Sequence, residues 1–267
     1  MQKVVLITGA SSGLGLATAL YLSEKGFNVF GTSRDPNKNK DKLPFDLLQL
    51  EITNRESINK CVNEVIKRSN KIDILINNAG RGITGPIEEI NNEAIIDNFN
   101  TNCFGPINMC QAVLPHMRSQ YSGLIINITS IAGHTGLPFR GIYSASKSAL
   151  SLITESLRME VKKFGIDVCS VAPGDFATDI ASRRYHSPII KNSPYEKYSD
   201  NLNTMNSHVD KGSPPKKVAK LIERIIYKRK TSVHYQVGPF IQKLTKTLKK
   251  ILPSRIFEKL IMNHYKL

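Results

Sequence analysis

The stretch KVVLITGASSGLG, residues 3–15, decides how the rest of the chain is read. Residues 3–8 (KVVLIT) form an unbroken apolar run, the pattern of a strand buried on both faces inside a parallel sheet. Thr8-Gly9-Ala10-Ser11-Ser12-Gly13-Leu14-Gly15 follows at once. A turn of this composition between a strand and a helix can aim backbone N–H groups and a helix N-terminus at a pyrophosphate. Glycine is needed there because a Cβ would block the phosphate or the tight turn. The spacing is Gly-x3-Gly-x-Gly and does not fit GxGxxG, since Thr18 stands three residues after Gly15. On this motif alone, a plain glycine-rich turn competes with a cofactor turn.

Outward from the turn, Leu16, Ala17, Leu20 and Tyr21 make a helical stripe over residues 14–25, and Gly26 stands where a helix stop belongs. Strand and helix patterns then alternate. Strands are expected at 27–32, 47–52, 72–76, 124–129 and 166–171, with helices at 55–69 and 143–164. Residues 92–120 read as one long helix or two short ones. Such alternation implies right-handed crossovers and an α/β, doubly wound parallel sheet. With 267 residues and 40% hydrophobic composition, one compact domain is expected. No internal repeat or low-complexity tract interrupts it.

The formal net charge is +15, but from residue 213 onward there are 14 Lys/Arg against 2 Asp/Glu, which places +12 of it in the last fifth of the chain. The basic balance is therefore a C-terminal feature. Cys61, Cys103, Cys110 and Cys169 form no CxxC pair, and the six histidines are scattered, so reduced thiols and no metal site are expected. The opening residues are too short an apolar stretch for a signal peptide or for the roughly 20 residues of a membrane span. A cytoplasmic protein is the expectation, with peripheral membrane contact left open.

The end of the second strand decides between nicotinamide cofactors, because an acid there accepts from a ribose 2′-OH and a base pairs with a 2′-phosphate. Ser33-Arg34-Asp35 offers a hydroxyl and a guanidinium fork first, which favours NADP(H); Asp35 keeps NAD(H) in contention. Further along, Tyr143 and Lys147 are four residues apart on one helix face. A phenol with an ordinary pKa near 10 is a poor acid–base group at neutral pH, and an adjacent ammonium favours its ionised form. Ser130 ends a strand thirteen residues upstream of Tyr143, where doubly wound sheets bind ligands, and could hold a substrate carbonyl. Thr129 competes for that role, and a strand-terminal hydroxyl that merely caps a turn is the plain alternative.

Thr8 to Gly15, Asn77-Asn78-Ala79-Gly80, Asn102, Ser130, Tyr143 with Lys147, and Pro173-Gly174 occur in the order and spacing of the short-chain dehydrogenase/reductase family, which residues 3–180 resemble. The resemblance implies a Rossmann-type, seven-stranded parallel sheet and a catalytic tetrad of Asn102, Ser130, Tyr143 and Lys147. Tyr143 would be the acid–base and Ser130 the anchor of the substrate oxygen. Lys147 would be the ribose ligand, and Asn102 the holder of a proton-relay water. Gly9, Ser11, Ser12, Gly13, Leu14 and Gly15 would bind the cofactor, together with Ser33, Arg34, Asn78, Ala79 and Gly80. Pro173, Gly174 and Thr178 would meet the nicotinamide amide, and Asp73 would steady the turn. Glu51 and Ile52 depart from the usual aspartate after the third strand, which shifts the adenine contact or leaves it to backbone.

Asn102-Cys-Phe-Gly-Pro106, Thr154-Glu-Ser-Leu-Arg158 and the extension past Val237 look like the retinol and 17β-hydroxysteroid dehydrogenase branch. That likeness implies a lipid-, retinoid- or steroid-like carbonyl or alcohol, and a homodimer or homotetramer. A nicotinamide-binding sensor or membrane-docked scaffold without turnover is the rival reading.

The expected organisation is a dinucleotide-binding domain over residues 1–238 and a basic amphipathic helical extension over 239–267. Residues 175–212 lack clear periodicity and are expected to be a mobile lid, in which Tyr185, Tyr195, Tyr198, Met205 and His208 could line a substrate pocket. In the extension, Ile241, Leu244, Leu248 and Ile251 stripe one helix face and Ile256, Phe257, Leu260 and Ile261 a second. Packing over the domain, docking on a membrane interface and, least favoured, nucleic-acid binding compete as its use. No nucleic-acid partner is expected.

Overall fold

A computed structural model describes residues 2–38, 43–178, 183–210 and 212–267. In chain order its elements are β1 (Val4–Ile7), α1 (Gly13–Glu24), β2 (Asn28–Ser33), β3 (Asp46–Gln49), α2 (Arg55–Ser69), β4 (Ile74–Asn77) and β5 (Ile83–Thr84). Then come α3 (Asn92–Phe99), α4 (Gly105–Ser119), β6 (Gly123–Ile128), α5 (Gly141–Val161), β7 (Ile166–Pro173) and β8 (Tyr185–His186). The chain continues through α6 (Lys197–Asp210), α7 (Lys216–Ile226), β9 (His234–Val237), α8 (Phe240–Ile251) and α9 (Ser254–Tyr265).

Seven strands form one sheet in the order β3-β2-β1-β4-β6-β7-β9, every pair parallel. The order reverses direction between β1 and β4, so the loops leaving their C-terminal ends part there and open a crevice. The unbroken apolar run of β1 is explained by its two partners. Val5 and Ile7 face a core built with Ala19 and Leu22 of α1 and Val218, Ile222 and Ile225 of α7. Val4 and Leu6 face the opposite core, with Ile58, Val62 and Val65 of α2 and Met109 and Val113 of α4. Each such side chain, fully removed from water, contributes roughly 1.5–3 kcal/mol.

Helix α2 spans the expected residues because its ends are written in sequence: Asn54 Oδ1 accepts from the Ser57 N–H at 2.9 Å, and Asn70 closes the helix with φ of 59°. Over 92–120 the structure chooses two helices, joined by a π-helical turn at Asn100–Phe104 that carries Asn102. Gly105 leaves that turn so close to Ile52 that a Cβ would lie 2.6 Å from Ile52 Cγ1. The expected third strand, 47–52, stops at Gln49, because Glu51 turns back onto Thr53 and Ser57 to lead into the α2 cap.

The segment expected to lack regular structure over 175–212 carries β8, which pairs with β5, and α6. Tyr198, Leu202, Met205 and Val209 stand at helical spacing in α6, a stripe diluted by Asn, Ser and Asp on the other positions. Residues 179–182 and 211 of this segment fall outside the described residues, as does the side chain of His208. The extension forms α8 and α9, joined through Pro253, and Gln242 of α8 fastens it to the body through the Asp175 backbone N–H and carboxylate. Among the described residues no helix is long and apolar enough to cross a membrane, and no cluster of His, Cys, Asp or Glu could hold a metal ion. The four cysteines are free and buried, and burial pushes the thiols of Cys61, Cys110 and Cys169 up to about 12.

Candidate active site

One cleft of about 1560 Å³ runs along the C-terminal edge of the sheet, from the β2 terminus past the glycine turn to α8 and α9. Ligand pockets for single small molecules are usually about 300–1,000 Å³, so this space suits a dinucleotide and a second molecule together. Gly9, Ser11, Ser12, Gly13, Leu14, Ser33, Arg34, Glu51, Ile52, Asn78, Ala79 and Gly80 line it, as do Ser130, Tyr143, Lys147, Pro173, Gly174 and Thr178. Gly15 and Asn102 lie behind this lining.

The glycine turn is a cradle that side chains would fill. Gly9 and Gly13 hold φ of 68° and 57°, a region L-residues rarely adopt. A Cβ on Gly15 would fall 2.2 Å from the Gly9 carbonyl oxygen and 2.4 Å from Asn78 Nδ2. Around it, Thr8 Oγ1 accepts from the backbone N–H groups of Asn78 and Ala79, both at 2.9 Å, and Asn78 Nδ2 donates to the carbonyls of Thr8 and Gly9. The Asn78 amide is therefore committed to the turn, and what it offers the cleft is backbone. Backbone donors held open by missing Cβ atoms at a helix start fit a dinucleotide pyrophosphate.

Asp73 does not steady this turn. It sits beside the N-terminal end of β1, where Oδ2 accepts from the Val4 N–H at 2.7 Å and pairs with Lys71 at 2.8 Å. The parallel register, Val5 opposite Ile74, puts Asp73 opposite Val4 and a strand length away from the glycines. At the other end of β2, Arg34 is exposed, and Ser33 Oγ is engaged with the backbone of Asp35. Glu51 folds onto Thr53, its Oε1 accepting from the Thr53 N–H at 3.2 Å and hydroxyl at 2.9 Å, so that oxygen is already engaged where the residue meets the cleft.

The other half of the cleft is assembled by three elements. Ser130, 8% exposed, stands two residues past β6 and caps the following 3-10 turn, accepting from the Ala132 N–H at 3.2 Å while its own hydroxyl donates to the Pro173 carbonyl at 3.5 Å. Thr129, the competitor, donates to the Val171 carbonyl at 3.2 Å inside the sheet. Helix α5 brings Tyr143 and Lys147 to the same wall, and it can come this close because Gly133 of the turn has no side chain: a Cβ there would lie 3.1 Å from the Lys147 backbone. Lys147 Nζ donates to the Ile128 carbonyl at 2.9 Å, and burial lowers its pKa against the opposing pull of Tyr143 and Cys103. A buried ladder holds α5 to the sheet: Asn77 donates to Asn127 and Asn127 to Thr154, each at 2.9 Å.

Asn102, fully buried, spends its side chain on the loop after β4. Its Oδ1 accepts from the Arg81 N–H at 2.8 Å, and its Nδ2 donates to the Arg81 carbonyl, Asn98 and Ser146. A Cβ on Gly80 would lie 3.2 Å from both Asn102 Oδ1 and Lys147 Nζ, so the two groups flank the same residue.

The substrate-side lining was the least legible part. Met205 lines the cleft, joined by Leu137, Arg140, Arg183, Arg184, Ile241 and Tyr265. Tyr185 instead faces a separate hollow of about 260 Å³ beside Arg81 and Asp97. Tyr195 donates to Glu88 at 2.5 Å on the surface, and Tyr198 is buried with its hydroxyl on the Thr84 carbonyl at 3.1 Å. These three are not cleft residues; they tie the excursion to the loop after β4. Arg183 and Tyr265 are separated from Tyr143 by tens of residues or more, with no local pattern to mark them. The stripe of the extension, ending in HYKL, was the signal nearest to hand.

A doubly wound sheet with a glycine cradle at its switch point, and a buried Ser, Tyr and Lys gathered along the same cleft, defines a nicotinamide-dependent oxidoreductase. The chain belongs to the short-chain dehydrogenase/reductase family: residues 3–188 match the family model described as short chain dehydrogenase. It is similar to the 3-ketodihydrosphingosine reductase of Bacteroides thetaiotaomicron, 40% identical over 258 residues that cover 96% of this chain and 95% of that protein. Among solved structures it resembles a short-chain dehydrogenase from Streptomyces avermitilis, with TM-score 0.82 and 31% identity over 99% of this chain and 97% of that one. It also resembles ElxO with NADP bound, with TM-score 0.73 and 25% identity over 89% and 97%.

Proposed function

We propose that the protein is an NADP(H)-dependent oxidoreductase that interconverts a carbonyl and an alcohol on a hydrophobic, lipid-like molecule. The observation that carries this reading is the presence of Tyr143, Ser130 and Lys147 on the wall of the cleft that begins at the glycine turn. A bound nicotinamide supplies the hydride donor or acceptor. In this reading the Tyr143 hydroxyl exchanges the proton with the substrate oxygen, and Ser130 Oγ releases its weak bond to Pro173 to hold that oxygen. The Lys147 ammonium, buried beside Tyr143, offsets negative charge on the phenol oxygen and contacts the ribose. Asn102 keeps the loop after β4 in place beside them. Arg34, exposed at the adenosine end with Ser33 next to it, supports a 2′-phosphate and so NADP(H) over NAD(H).

A lipid-like substrate is supported by the apolar lining at Ile83, Leu137, Met205, Ile241 and Ile261, and by the activity named for the Bacteroides relative. Exposed Phe240 and Ile251 among the lysines of α8 support peripheral contact with an anionic membrane surface. Exposed Phe104 on the turn before α4, with exposed Leu152 and Met159 on α5, supports pairing of copies through the long helices.

The test follows NADPH absorbance over a panel of long-chain ketones for the wild type and Tyr143→Phe. General acid–base groups contribute about 100- to 10,000-fold, so the variant should lose nearly all turnover while NADPH affinity stays unchanged. Wild-type rates in the variant would remove Tyr143 from its role. Tight NADPH binding with no ketone or alcohol turned over would favour the sensor or scaffold.

A further inference from the structure

Arg184 is a charged side chain with only 8% of its surface exposed, on the wall of the cleft that also holds Tyr143. Its Nη1 is buried and has no hydrogen-bond partner. A guanidinium carries five N–H donors and cannot shed its charge, so burying one without acceptors costs free energy that a ligand oxygen would recover. The surroundings hold the group in this position. Gly82 opposite has no side chain, and a Cβ there would lie 2.7 Å from Arg184 Cγ and 3.0 Å from Nε. Burial lowers the Arg184 pKa first, and the nearby charge of Arg140 lowers it further; Tyr143 and Asp175 oppose both effects.

Arg140 lies on the same side of the cleft, its guanidinium 5.3 Å from the centre of the Tyr143 ring. Burial raises the pKa of Tyr265, which α9 delivers to the cleft with 7% of its surface exposed, and Arg140 lies near enough that its charge opposes that rise. Asp175, the carboxylate that Arg184 feels, already accepts from Gln242. Two cationic forks therefore face the space beside the proposed proton donor, with one carboxylate nearby that is partly committed elsewhere. The neighbouring Arg183 points the other way and donates to Ser12 Oγ in the glycine turn. Consecutive arginines thus serve opposite ends of the cleft, and Arg184 belongs to the half away from the phosphate cradle.

We propose that Arg184, with Arg140 beside it, is a head-group anchor: it takes a hydrogen-bond-accepting oxygen, a carboxylate or a hydroxyl, that flanks the reacting carbonyl of the substrate. This rests on the proposed carbonyl chemistry and adds which end of a lipid-like molecule lies against the arginines. The apolar residues Leu137, Met205, Ile241 and Ile261 then receive the chain.

The experiment compares three long-chain ketones of equal length with NADPH: a plain methyl ketone, one with a hydroxyl on the carbon next to the carbonyl, and one with a carboxylate one carbon away. The wild type should prefer the oxygen-bearing ketones. Charge-assisted hydrogen bonds imply that Arg184→Leu should raise KM for its preferred ketone about tenfold or more, leaving the plain ketone within about twofold. Arg184→Lys should recover part of the loss with the carboxylate, which needs charge, and less with the hydroxyl. An effect confined to one of the two oxygen-bearing ketones identifies the source of the oxygen. Equal losses on all three ketones, or a wild type with no preference, would overturn the anchor; unchanged NADPH affinity and melting temperature show that the variants are folded.

If the wild type reduces none of the ketones, the proposed chemistry has failed and a binding measurement still decides the anchor. Calorimetric titration of the NADP-loaded protein with a long-chain 3-hydroxy carboxylate should give an affinity at least about tenfold weaker for Arg184→Leu. Equal affinities would refute it.

Discussion

Residue spacing locates side chains on a wall, but it does not say which of their polar atoms remain free for a ligand. Tyr143 and Lys147 share one face of α5 as their interval requires, yet Lys147 Nζ is already bonded to the Ile128 carbonyl. Asn78 and Asn102 were legible as motif residues, and both turn out to brace backbone: Asn78 the glycine turn, Asn102 the loop at Arg81. Asp73 was expected at the turn and lies at the opposite end of β1, because a residue preceding a parallel strand must face the start of its neighbour. Arg34 can be tested without turnover. A guanidinium bonded to a 2′-phosphate should contribute about 1.5–3 kcal/mol, so Arg34→Ala should weaken NADPH about tenfold or more in a fluorescence titration and barely change NADH. Equal weakening of both would refute the 2′-phosphate contact.

At the scale of elements, the site depends on the 3-10 turn at Ile131–His134, which is squeezed between α5 and α8. Lys249 of α8 donates to the His134 carbonyl at 3.0 Å. His134 itself has a buried Nε2 without a partner, and its pKa falls from 6.5 to about 4, chiefly through burial, with Lys246, His234 and Lys249 adding to it. The folded state therefore binds a proton less readily than the unfolded chain. Above about 6.5 both states are neutral at this residue and it contributes no pH dependence. Between about 6.5 and 4 the unfolded chain takes up the proton first, so stability falls with pH at a slope of at most about 1.4 kcal/mol per unit from this group. Thermal melts across that interval should show a shallower decline for His134→Gln than for the wild type. Parallel curves would mean that other groups set the acid sensitivity. The two-helix reading of 92–120 also belongs to this scale: both readings satisfied the periodicity, and the contact of Gly105 with Ile52, distant in sequence, accompanies the break.

In the whole molecule, the basic extension is both wall and surface. Its inner side, through Ile241, Gln242, Ile261 and Tyr265, completes the cleft; its outer side leaves Phe240 and Ile251 at 69% and 73% exposure among lysines. Apolar side chains at that exposure gain by entering a lipid interface, and each Lys near an anionic surface adds about 1 kcal/mol. The 267-residue chain should float with vesicles containing anionic lipid, less so at high salt. A Phe240→Ser, Ile251→Ser double variant should remain in the soluble fraction while keeping its NADPH affinity. Flotation unchanged by these substitutions would place the membrane contact elsewhere.

What this sequence determined alone is its class of fold and several of the side chains that line the cleft. Strand burial on two faces, glycine at a phosphate-sized turn and a tyrosine one helical turn from a lysine are local patterns, imposed by backbone geometry over a few residues. Only the tertiary structure decided where along the cleft each arginine lies, that Tyr185, Tyr195 and Tyr198 brace the excursion instead of lining the cleft, and that a helix at the far end of the chain supplies Tyr265 beside Arg140. Those outcomes depend on packing between segments separated by a hundred residues or more, where complementarity of shape and charge replaces periodicity as the governing constraint.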